Sequence, residues 1–88
     1  MPSVLPKVRV KVLFFGQVRE LTGLTEENGE FSEGATLADL LETYIQRFPR
    51  LAGFQRSLVA SRNQEFAAWE TRIAGGDEIA FLPPVSGG

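Results

Sequence analysis

Chemistry in this sequence is concentrated at its end, in Pro83-Pro84-Val85-Ser86-Gly87-Gly88. Gly87 and Gly88 carry no side chains, so a terminal carboxylate on Gly88 can pass along a narrow channel and be approached closely from either side by another protein's groups. Pro83 and Pro84 fix φ and favour an extended, polyproline-like chain. Six residues of such chain reach roughly 20 Å at about 3.3 Å per residue. Stiffness at the base of a tail also lowers the entropy lost when it enters a pocket.

A free carboxylate at Gly88 is ionised at neutral pH and resists nucleophiles, because its charge is delocalised and oxide is a bad leaving group. Coupling to a nucleotide converts it to an acyl adenylate that accepts attack. A sulfur donor attacking that acyl group leaves a terminal thiocarboxylate, an anionic sulfur nucleophile that needs no cysteine. The chain has no Cys and no His, so a disulfide framework, a thiolate nucleophile, a sulfur-ligand metal site and the commonest proton shuttle are all excluded. No metal site is expected, and the groups that activate Gly88 are expected on other proteins.

The 88 residues suffice for one small domain. Their net charge of −2 supplies no excess positive field to draw the chain to nucleic acid or anionic lipid. There is no long apolar run and no cationic leader with a small-residue cleavage site. The expectation is a soluble cytoplasmic protein with no nucleic-acid or membrane partner.

The elements that must hold the tail are read from periodicity. From Lys7, Val8, Val10 and Val12 alternate with Lys7, Arg9 and Lys11, the period of a half-buried strand. Leu13 and Phe15 then share the parity of the charged residues and place apolar groups on the polar face. Gly16 to Gly23 reads as a short helical turn carrying Val18 and Leu21. Thr25 to Glu33 reads as a turn at Asn28-Gly29 followed by a short edge strand with Phe31.

Thr36 with Asp39 is an N-cap with negative charge in the first turn. Leu37, Leu40, Leu41, Tyr44, Ile45 and Phe48 follow on one helical stripe, which Pro49 ends. In so small a chain that stripe covers the sheet. After an irregular stretch, Ser57 to Ser61 reads as a short strand, Asn63-Gln64 as a turn and Glu65 to Ala67 as a further extended piece. Gly75-Gly76-Asp77 is a turn, and Glu78 to Leu82 is the last strand, with Ile79 and Phe81 on one face and Ala80 and Leu82 on the other. Pro83-Pro84 stops regular pairing. The order β-β-α-β-β describes an α+β roll: a mixed sheet with one main helix on one face, the first two strands joined as a hairpin and the last returned beside the first.

Val12 to Gly23 (VLFFGQVRELTG) and Gly76 to Gly88 (GDEIAFLPPVSGG) resemble the two signature segments of the small, sulfur-carrying subunit of molybdopterin synthase, and Asn63-Gln64 is similar to a pair that family has before its hairpin. The resemblance implies a ubiquitin-like β-grasp spanning residues 7–82, with a tail at 83–88 carrying the reactive glycine. It implies that an adenylating enzyme uses ATP to activate Gly88, that sulfur is then carried as a thiocarboxylate, and that the tail, from Pro83 and Pro84 through Val85 and Ser86 to Gly87 and Gly88, inserts into a large catalytic subunit. Sulfur would pass there to cyclic pyranopterin monophosphate, in an assembly that in this family is a heterotetramer. No permanently bound cofactor is implied.

Phe15 and Leu82 fall on positions similar to apolar interface residues of the family, so Leu13, Phe15 and Leu82 are expected to form one partner-binding patch. The Met1 to Pro6 extension departs from the family core and is expected to be disordered. Arg9, Arg62 and Arg72 read as solvated surface residues without a role. The same activated carboxylate would also serve a sulfur carrier for thiamine or tRNA thiolation, against which Gly76 to Pro84 (GDEIAFLPP) argues for molybdopterin, or a ubiquitin-like modifier joined to lysines, which the tail context disfavours. A non-covalent binding domain would make the glycines dispensable.

Overall fold

Strand β1 (Lys7–Phe14) is an interior strand of a five-stranded sheet. The computed structural model describes residues 6–83. In chain order the remaining elements are helix α1 (Gly16–Thr22), β2 (Glu26–Ser32), helix α2 (Leu37–Arg47), a 3-10 segment (Pro49–Ser57), β3 (Val59–Arg62), β4 (Glu65–Ala67) and β5 (Glu78–Leu82). The sheet order is β2-β1-β5-β3-β4; β1 and β5 are parallel, and every other pairing is antiparallel. The last strand thus returns beside the first, as the sequence suggests, in a mixed α+β sheet of the ubiquitin-like β-grasp type with the main helix on one face.

The period-2 pattern sorts the faces. Val10, Val12 and Phe14 point inward with Ile79 and Phe81, against Leu37, Leu40, Leu41 and Tyr44 of α2. Each such side chain contributes about 1.5–3 kcal/mol by leaving water. Tyr44 is the hub, with its ring edge-on to Phe14 at 5.1 Å and to Phe81 at 6.1 Å.

α2 begins where Thr36 predicts. Its Oγ1 accepts from the Asp39 N–H at 3.2 Å while Asp39 Oδ2 accepts from the Thr36 N–H at 2.9 Å, so two otherwise unpaired donors of the first turn are satisfied reciprocally. The N–H groups of Leu37 and Ala38 donate to the carbonyls of Thr71 and Trp69, tying the helix start to the loop before β5. The helical turn after β1 is also present, closed by Gly23 in the left-handed region (φ 73°).

Two expectations are corrected. Asn28-Gly29 is not a turn: both residues pair within β2, opposite Lys11 and Val10. Phe31, two residues on and on the same face, lays its ring over Gly29, where a Cβ would fall 2.6 Å from Phe31 Cε2, so this glycine makes room for an aromatic ring. β1 and β2 pair antiparallel as expected, with α1 in the connection between them. The stretch after Pro49 is a 3-10 segment that buries Leu51 completely, and it extends through Ser57, so β3 starts at Val59.

Residues 1–5, most of the expected N-terminal extension, lie outside the described residues. Pro6 is described, and its carbonyl accepts from the Glu33 N–H at 2.8 Å.

Candidate outer-face docking site

The sheet face away from α2 is set by register. Leu13 pairs with Ala80, Ala80 with Ser61, and Ser61 with Phe66, so four side chains of matching parity form a row across β1, β5, β3 and β4. Leu82 pairs with Val59 in the row nearer the tail. Phe15 follows at the end of β1. Leu13, Phe15, Phe66, Ala80 and Leu82 line a groove of about 350 Å³, with Ser61, Gln64 and Glu78 as its polar members. Phe15 is 43% exposed and Phe66 75%, and as large apolar side chains lining one groove they make it a candidate interaction surface.

The expected patch of Leu13, Phe15 and Leu82 is therefore brought together, and Phe66 joins it. Phe66 was legible in principle: a two-residue turn at Asn63-Gln64 sets it opposite Ser61, whose parity is opposite to that of buried Ala60. Both turn residues take left-handed backbone, φ 53° and 72°, the twist that favours tight hairpins.

Of the expected tail, Pro83 is described, and Pro84, Val85, Ser86, Gly87 and Gly88 lie outside the described residues. Pro83 packs on Gly16, the first residue of α1, where a Cβ would fall 3.0 Å from Pro83 Cγ. The base of the tail thus leaves β5 beside Phe15 and the groove.

The far end of the groove is held by a polar cluster that sequence reasoning missed. Asp77, just before β5, is buried, and its carboxylate accepts from Arg62 Nε at 2.8 Å, Asn63 Nδ2 at 3.0 Å and the Ala74 N–H at 2.8 Å. Burial pushes this carboxyl up, but the hydrogen bonds from Asn63, Ala74 and Arg62 and the Arg62 charge outweigh it, leaving it below the usual carboxylate range. Arg62 is accordingly engaged rather than free, and Arg9 faces Glu30 at 3.4 Å on the exposed polar end of the same sheet face.

Among the described residues no group of three or more His, Cys, Asp or Glu is placed to hold a metal ion. No helix among them is long and apolar enough to cross a membrane.

A mixed β-grasp sheet with an apolar outer face beside a departing C-terminal strand defines a ubiquitin-like carrier class, and comparison places the chain within it. Residues 12–88 match the ThiS family, and the chain belongs to that family. It is 40% identical over 81 residues to the molybdopterin synthase sulfur carrier subunit of Escherichia coli (strain K12), covering 90% of this chain and 99% of that one. A putative molybdopterin converting factor subunit 1 from Pyrococcus furiosus superposes with TM-score 0.79 at 29% identity, over 89% of this chain and 99% of that one. The Helicobacter pylori 26695 complex of molybdopterin-converting factor subunits 1 and 2 contains a chain that superposes with TM-score 0.60 at 28% identity, over 92% of this chain and all of that one.

Proposed function

We propose that this chain is the sulfur carrier subunit of a molybdopterin synthase, with a β-grasp body at residues 7–82 and a reactive tail at 83–88. The observation that carries the reading is the apolar row Leu13–Ala80–Ser61–Phe66, flanked by Phe15 and Leu82, at the sheet end from which Pro83 departs. A partner seated there receives the tail beside its own surface. Burial of aromatic and aliphatic side chains supplies affinity, and the extended tail supplies reach.

Gly88 is the reactive residue. A carboxylate oxygen of Gly88 attacks the α-phosphorus of ATP on a ubiquitin-activating-like adenylating enzyme, and pyrophosphate leaves. Hydrosulfide then attacks the acyl carbon, AMP leaves and the sulfur loses its proton, giving the thiocarboxylate. In the large catalytic subunit that sulfur attacks a carbon of the pterin precursor, cyclic pyranopterin monophosphate, as an oxygen substituent of that carbon leaves; water then cleaves the acyl–sulfur bond of the resulting thioester, so that sulfur stays on the pterin and Gly88 returns as carboxylate, ready for another cycle. Gly87 keeps the approach to Gly88 open, and Val85 and Ser86 span the distance from Pro83 and Pro84. The chain is a stoichiometric sulfur donor in the cytoplasm, and the catalytic side chains belong to the large subunit.

The test is single-turnover conversion. Thiocarboxylated chain mixed with the large subunit and precursor should yield molybdopterin in proportion to the thiocarboxylate consumed, and a chain lacking Gly88 should yield none. A thiocarboxylate that the large subunit leaves untouched, but that thiamine or tRNA thiolation consumes, would move the carrier to another pathway.

A further inference from the structure

We propose that Asn63 is a positioning residue for the docking face, its carboxamide locking the β3–β4 hairpin to the start of the tail-bearing strand. The inference rests on the reading of the outer face as a partner surface.

In the β3–β5 register Arg62 pairs with Ile79, so Asn63 stands opposite Glu78. In an antiparallel ladder such an opposed pair exchanges two backbone hydrogen bonds when it is the closely bonded kind. Here one is normal: the Asn63 N–H donates to the Glu78 carbonyl at 2.7 Å. The other is not, because Asn63 has turned into left-handed backbone (φ 53°). The Glu78 N–H instead donates to Asn63 Oδ1 at 2.9 Å. The side chain thereby completes the ladder one residue past the point where the backbone leaves it.

The carboxamide is itself fixed. Its Nδ2 donates to Asp77 Oδ1 at 3.0 Å, while the other Asp77 oxygen is taken by Arg62 Nε and the Ala74 N–H. This orients the amide unambiguously, oxygen toward Glu78 and nitrogen toward Asp77, and Asn is suited to the site because it tolerates left-handed backbone.

The consequence falls on Phe66. β4 is only three residues long and sits at the sheet edge, paired to β3 alone; β3 is held to β5 from Val59 to Arg62, and Asn63 carries that hold one residue further, to the turn from which β4 and Phe66 start. Phe66 is three-quarters exposed and has little packing of its own to hold it beside Ala80 and Leu82. Gln64, the other turn residue, itself lines the groove.

The test uses the full chain and its cognate large subunit, with affinity measured by calorimetry under conditions where every variant is folded by circular dichroism. Asn63→Gly keeps the left-handed backbone and removes the amide, and it should weaken binding about tenfold and speed hydrogen exchange at the Glu78 amide. Asn63→Asp sets a carboxylate against Asp77 and should weaken binding at least as far. The double variant Asn63→Asp with Asp77→Asn again sets one carboxylate against one amide, and it should regain most of the affinity and the Glu78 protection. Lowered stability with unchanged affinity in both single variants would reduce Asn63 to a structural residue and overturn the proposal, as would a double variant that regains nothing. Phe66→Ser serves as the control on the underlying reading: if it binds as the parent does, the outer face is not the docking surface, whatever Asn63 does.

Discussion

Pro83 rests on Gly16 so closely that a Cβ on the glycine would lie 3.0 Å from Pro83 Cγ, and Gly16 holds φ at +54°. The contact joins the base of the tail to the start of α1, so the direction in which the tail leaves depends on a residue distant in sequence. A β-branched side chain at Gly16 meets both obstacles, the left-handed backbone and the proline ring. Gly16→Val should lower stability by about 2 kcal/mol in urea unfolding and shift the Pro83 ring resonances. An unchanged urea midpoint would show that neither obstacle operates.

Phe66→Ser separates docking from folding. The side chain is 75% exposed, so its loss should change stability by no more than about 0.5 kcal/mol. If it anchors a partner, affinity for the large subunit should fall by about 2 kcal/mol, near thirtyfold. If the adenylating enzyme docks on the same face, Phe15→Asp and Leu82→Asp should abolish both that complex and the one with the adenylating enzyme. Competition binding checks this: saturating large subunit should exclude the adenylating enzyme.

The acid limb of stability should come from two carboxylates. At Glu27 the bidentate hydrogen bonds from Arg47, 2.7 and 3.1 Å, lower the pKa; burial opposes them, and the Tyr44 hydroxyl at 2.9 Å and the Arg47 charge assist. Asp77 is likewise held below its ordinary value of 3.8. A carboxyl whose folded pKa is depressed contributes stability that is present above its unfolded pKa and lost as pH falls through the folded one. Urea midpoints should therefore hold steady at neutral pH and fall below about pH 4, and Glu27→Gln should flatten part of that slope. A slope unchanged by the substitution would place the titration elsewhere.

The alkaline limb has the opposite sign. Burial, then the hydrogen bond to Glu27 and its charge, raise the Tyr44 pKa above its ordinary 10.0. A raised pKa gives stability that is complete below the unfolded value and lost as pH rises through the folded one. Decline should begin near pH 10, and Tyr44→Phe should remove that component while losing the hydroxyl's hydrogen bond at all pH values.

Much of this fold was legible because local signals agreed with the global arrangement. Thr36 and Asp39 mark a cap that forms, the Leu37-to-Tyr44 stripe is buried, and Glu78 to Leu82 alternates into a strand with those bounds. Asn28-Gly29 misled because its composition is that of a turn, whereas its reason is the Phe31 ring two residues away, a relation visible only once the strand is built. Leu51 was obscured by polar neighbours in a segment with no clear period. The Leu13, Phe15 and Leu82 patch followed from parity within strands. Phe66 could be read from the Asn63-Gln64 turn that sets it opposite Ser61, whereas the Asp77–Arg62–Asn63 cluster required the register between β3 and β5, which no single segment contains. Leu51→Ala should remove about 3 kcal/mol, a loss the exposed Arg50 beside it would not give on truncation.

The central claim is that Gly88 carries sulfur, and intact mass spectrometry addresses it directly. The full chain is incubated with ATP, its cognate adenylating enzyme and a sulfur donor, and the large subunit and pterin precursor are then added. The expected result is a mass gain equal to exchanging one oxygen for sulfur, localised to Gly88 and lost as precursor is converted. A chain that never gains that mass, or gains it equally after Gly88 is deleted, would contradict it.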